Sequence, residues 1–183
     1  MKKNRGFTIL ETLIVIVVLG ILTAKTLFII KSNVAQTTLE KAANSLYTDL
    51  QCLHSVCLKN DEMVMVDFRN SSEQYNIYVD ENNDSTIQES ELYKTRKLPS
   101  SVSFGICEEA PSPWMFNYEP QDGLADNWKS VLFVAPDSRR QYSFGGVYLT
   151  IPNLPEITFF IGIKAGMQSI KLFKWKGSSW IEL

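Results

Sequence analysis

Glu11 is one of two charged side chains, with Lys25, in the 24 residues from 7 to 30. A carboxylate deep in an apolar helix costs roughly 2.5–3.5 kcal/mol on insertion scales, so it asks for a cationic partner. Other residues offer different chemistry. Asp80, Asn82, Asp84, Thr86 and Glu91 stand at positions 1, 3, 5, 7 and 12 of a calcium-loop pattern. Alternating oxygen ligands closed by a glutamate suit that ion. Ser85 takes the place of the turn-forming glycine at position six. No flanking helices are expected there, so a solvated acidic loop competes with calcium. Lys171, Lys174 and Lys176 alternate with Phe173 and Trp175 ahead of Trp180. Cations interleaved with aromatics can hold a nucleic-acid backbone. The competing reading is a terminal hairpin with lysines outside and aromatics in the core.

Catalytic chemistry finds little material. His54 is the single histidine, and no serine or cysteine is matched with a base and an orienting group. No enzyme is expected. The three cysteines, Cys52, Cys57 and Cys107, show neither a CxxC pair nor a zinc spacing. Cys52 and Cys57 fall about 140° apart on a helix, which disfavours a disulfide between them.

The elements that must carry these residues follow from patterning. As a helix, residues 7–30 would span about 36 Å, enough for a bilayer. Lys2, Lys3 and Arg5 precede them, which predicts a cytoplasmic N-terminus and a single span with the rest of the chain outside. Ala35, Leu39, Ala42, Leu46, Leu50, Leu53 and Cys57 recur at spacings of three and four, an amphipathic stripe that extends the helix to about residue 58. Lys31, Gln36, Glu40, Lys41 and Asp49 fall between them as its polar side.

Beyond residue 60 the texture changes to short runs rich in β-branched and aromatic residues, at 63–68, 75–79, 102–106, 131–135, 147–151, 157–163 and 170–175. Pro- and Gly-containing turns separate them. One long helix followed by seven or more strands predicts an α+β chain with two antiparallel sheets. Residues 108–128 read as an irregular surface loop. Hydrophobic residues make up 45% of the 183, enough for a genuine core, and the formal charge of -2 disfavours binding nucleic acid through overall charge.

The N-terminal stretch Lys2-Lys3-Asn4-Arg5-Gly6 followed by Phe7-Thr8-Ile9-Leu10-Glu11 resembles the processing signal of type IV prepilins and pseudopilins. A secretory signal cut after Ala24 and a plain anchor are the alternatives, and neither accounts for Glu11. The resemblance implies cleavage between Gly6 and Phe7 by the prepilin peptidase, methylation of the Phe7 amine, and a role for Glu11 in recruiting neighbouring subunits. Many family members carry a helix-bending proline where this chain has Phe28. The stretch from 132 to 151 is similar to the C-terminal pattern of GspH/FimT-type minor pseudopilins, through Phe133, Pro136, Arg139, Gly145, Gly146, Val147 and Leu149.

These resemblances imply a leader at 1–6, a transmembrane assembly helix at 7–30, an amphipathic helix at 31–59 and a β-rich head at 60–183. They imply a minor pilin or pseudopilin of a type II secretion pseudopilus or a type IV pilus. Its partners would be other pilin subunits, the processing peptidase and inner-membrane lipid, with no cofactor apart from the calcium candidate. A membrane-anchored binding module for DNA uptake or surface adhesion is the alternative function.

Overall fold

The computed structural model describes residues 9–60, 62–68, 73–82, 84, 86–105, 120–121, 124–125, 130–133, 145–152, 154, 156–163 and 169–183. Helix α1 runs Ile9–Asn60. The chain divides into two compact units, Met1–Gln36 and Thr37–Leu183.

In the first unit the described residues are all helix, with Ile9, Leu10, Leu13, Ile14 and Val15 among its exposed apolar side chains. α1 is the one helix among the described residues long and apolar enough to cross a membrane. Its threonines hide their hydroxyls in the helix itself. Thr12 donates to the Ile9 carbonyl at 2.8 Å, Thr23 to Leu19 at 2.7 Å and Thr26 to Leu22 at 2.9 Å. Such back-bonding satisfies polar groups that lipid could not.

In the second unit α1 becomes one-sided. Leu39, Ala42, Ala43, Leu46, Leu50, Leu53 and Cys57 are buried, the stripe expected from three-and-four spacing, with Ala43 added and Ala35 only half-buried. Fully burying a leucine contributes roughly 1.5–3 kcal/mol, so Leu39, Leu46 and Leu50 anchor this half of the helix.

Eleven strands follow among the described residues. They are β1 Val64–Asp67, β2 Gln74–Val79, β3 Leu92–Lys97, β4 Ser103–Phe104, β5 Pro120–Gln121 and β6 Leu124–Ala125. β7 Ser130–Phe133, β8 Gly145–Thr150, β9 Thr158–Ile163, β10 Ile170–Trp175 and β11 Trp180–Glu182 complete the set. One sheet has the order β3-β2-β1-β7 and the other β11-β10-β9-β8-β6-β5, with β4 also paired to β8. Every pairing is antiparallel. The architecture is α+β with two antiparallel sheets, as the patterning predicted.

Three differences have physical causes. β3 is a strand of sequence LYKTRK, five of whose six residues are exposed. It carries no alternating apolar signal, and its ladder to β2 holds it in place. β5 and β6 form a two-residue hairpin inside the segment expected to be irregular, too short for a pattern. β11 closes the chain by pairing Trp175 with Trp180 across a turn at Gly177, whose φ of 76° favours glycine.

The second sheet packs an aromatic core. Tyr148 and Phe160 approach with centroids 4.7 Å apart, and Trp175 and Trp180 at 5.5 Å. Phe68, just after β1, meets Phe104 of β4 edge-on at 5.2 Å and so links the first sheet to the second, a favourable aromatic geometry.

Candidate functional site

Glu11 lies in the first turn of α1. A negative charge there complements the helix dipole. Its surroundings are apolar and exposed: Leu10 at 69%, Leu13 at 56%, Ile14 at 54% and Val15 at 51%. Gly6 and Phe7 lie outside the described residues. An acid on an apolar helical surface is desolvated whenever that surface meets lipid or another helix, and then only a cation placed beside it restores the balance. The arrangement is suited to specifying how helices come together.

The second unit holds α1 by two ion pairs. Asp49 accepts hydrogen bonds from the Tyr75 hydroxyl at 2.7 Å, from Arg96 Nε at 3.1 Å and from the same guanidinium's Nη2 at 3.3 Å. Glu40 lies 3.6 Å from Lys174 Nζ, and that ammonium also sits 5.4 Å from the centroid of the Phe159 ring. At about 100° per residue, Glu40 and Asp49 fall on the two borders of the buried stripe. One therefore reaches the sheet of β10 and the other the sheet of β2 and β3. Burial, and then the bond to Asp49, push the Tyr75 hydroxyl well above its usual range. Neither clamp was legible in the sequence, where Glu40 and Asp49 read as ordinary polar-side residues.

The basic–aromatic candidate resolves into internal pairs. Lys171 Nζ donates to Glu182 Oε1 at 2.6 Å and Lys174 faces Glu40, leaving Lys176 exposed beyond the strand. Phe173 and Trp175 point into the core. The structure therefore does not assemble the three lysines into one open cationic face.

The calcium-pattern residues make a self-bonded turn. Asp84 Oδ1 accepts from the backbone N–H and the hydroxyl of Thr86, and its Oδ2 accepts from Gln88 Nε2 at 3.0 Å. Asn82 Oδ1 accepts from the Asp84 N–H at 2.8 Å, and Asp80 Oδ1 from the same N–H at 3.2 Å. The Thr86 hydroxyl, then the other bonds, hold the Asp84 carboxyl below its ordinary range. Asp80 is buried, whereas Asn82, Asp84 and Thr86 are exposed. Glu91 turns back so that Oε2 accepts from the Gln88 N–H at 2.8 Å. Among the described residues no three His, Cys, Asp or Glu side chains converge as metal ligands.

Of the remaining candidates, His54 is half-buried on α1 and burial lowers its pKa. Cys52 is an exposed free thiol and Cys57 is buried. Cys107, Pro136 and Arg139 lie outside the described residues. Gly146, Val147 and Leu149 are buried in β8.

The first 24 residues match the family model described as a prokaryotic N-terminal methylation motif. No curated protein and no solved structure matches the chain.

Proposed function

Since the chain carries the N-terminal methylation motif of type IV prepilins and pseudopilins and so belongs to that family, we propose that it is a minor pilin or pseudopilin of the GspH/FimT kind. Its activity is assembly into a thin filament of a type II secretion system or a type IV pilus. The prepilin peptidase cuts between Gly6 and Phe7 and methylates the new amine. Lys2, Lys3 and Arg5 hold the leader on the cytoplasmic side, so the β-rich unit is exported. In the filament the carboxylate of Glu11 pairs with the Phe7 amine of a neighbouring subunit, each charge offsetting the desolvation of the other.

The observation that carries this reading is the motif set on an exposed apolar helix with Glu11 in its first turn. Intact-mass and N-terminal analysis of the full chain, recovered from cells that contain the peptidase, tests it. The expected product begins at N-methylated Phe7. An intact Met1, or a chain beginning at Lys25, overturns it.

A further inference from the structure

α1 and the end of β3 line a cleft of about 230 Å³ whose walls include Lys41, Arg96 and Lys97, with Ser45 and Tyr75 beside them. Asp49 compensates Arg96. Among the described residues Lys41 and Lys97 have no carboxylate partner. Cations on an edge strand also discourage stray strand pairing, which would account for Lys97 alone. Lys41 belongs to a different element and lines the same cleft, so strand protection does not explain the cluster.

The opposite charge sits at the other end of the same hairpin. Residues 80–91, between β2 and β3, contain five acids and no lysine or arginine. Glu81 and Glu89 are exposed there, without a salt-bridge partner among the described residues. A six-residue strand spans about 20 Å, so the hairpin presents uncompensated acids at one end and uncompensated cations at the other. The two ends are too far apart to neutralise each other within one chain. Two copies can do it.

We propose that the cleft of Lys41 and Lys97 receives the acidic 80–91 loop of a second copy of this chain, through Glu81 and Glu89. The contact joins unlike surfaces, so it is heterologous rather than two-fold. It deepens the filament reading, and rests on it, by naming a neighbour for the exported unit. Complementary charge at a half-exposed rim sets register and partner choice more than raw affinity.

The test uses equal amounts of unlabelled and nitrogen-15 full-length protein in detergent, joined by a zero-length carbodiimide and mapped by mass spectrometry. The expected result is mixed-isotope peptides linking Lys41 or Lys97 to Glu81 or Glu89. Their yield should fall at least about tenfold between roughly 0.05 and 0.5 M salt, as screened charges require. K41E/K97E should lose the links, and mixing it with E81K/E89K should restore them in the reversed sense. The unsubstituted isotope mixture needs no variant to fold. Links confined to one isotope, or mixed-isotope links that omit Lys41 and Lys97, overturn the proposal. Either failure leaves the N-terminal processing standing, because that is read from the mass of the mature N-terminus.

Discussion

Two acids on one helix illustrate how a carboxylate is accommodated. Asp49 finds its partners inside the chain, in Tyr75 and Arg96. Truncating it strips the buried Tyr75 hydroxyl of its acceptor and the Arg96 guanidinium of its counter-charge. Asp49→Ala should cost about 2 kcal/mol, as hydrogen bonds to charged groups do. Urea denaturation of the full chain in detergent, followed by tryptophan fluorescence, checks this, and a loss near zero would show the clamp to be idle. Glu11 lies in the first turn of α1, beside exposed apolar side chains. On the proposed reading its counter-charge comes from another subunit, so Glu11→Ala should insert and be processed normally yet be missing from the sheared filament fraction. Normal incorporation would remove the pairing from the mechanism. The contrast between the variants is the informative result: one loses stability, the other only assembly.

At the scale of elements, Gly146 of β8 leaves the space that the Phe160 ring of the neighbouring strand β9 fills. A Cβ placed there would lie 2.0 Å from Phe160 Cζ and 2.8 Å from the Ile161 carbonyl oxygen. The second contact is backbone and cannot swing aside. Gly146→Ala should therefore cost about 1–3 kcal/mol, the range of overpacked cores. Gly105→Ala is the matched control, since its Cβ meets only Thr150 Cγ2 at 3.2 Å. Thermal melts that rank the two equally would contradict this account of the strand approach. β3 illustrates the other side of strand formation. Thr95 Oγ1 donates to Asn76 Oδ1 across the ladder at 2.8 Å, and such cross-strand pairs hold a polar strand that intrinsic preference would leave as loop.

For the molecule as a whole, two shifted groups bound the pH range of full stability. Burial lowers the pKa of His54 from 6.5. The folded state then binds fewer protons there than the unfolded state, so this contribution is present above pH 6.5 and is lost as pH falls through the lowered value. The Tyr75 hydroxyl is raised from 10.0. Its contribution is complete below pH 10.0 and is lost as pH rises toward the folded value. Melting temperatures of the full chain should form a plateau between these limits. His54→Gln should flatten the first part of the acid decline, just below pH 6.5, where most carboxylates have not yet begun to titrate. An unchanged acid limb would assign that decline to other groups.

Much of this is legible in the sequence. The N-terminal motif, the membrane-length helix, the stripe from Leu39 to Cys57 and most of the core strands are local patterns. A run of apolar residues, a three-and-four spacing or a β-branched cluster is written in neighbouring positions, and burial follows from it directly. β3 was not legible because its ladder to β2 holds it rather than an apolar pattern of its own, and β5 and β6 are too short to write a pattern. The same holds for the site residues. Glu11 announces itself because an acid in an apolar run is anomalous in its own neighbourhood. Glu40, Lys41, Asp49, Arg96 and Lys97 look like ordinary surface charges. Only the fold decides that Asp49 meets Arg96 across 47 residues of chain and that Lys41 shares a cleft with Lys97. A charge pair depends on distance in space, and nothing in the local sequence encodes which distant residue will close it.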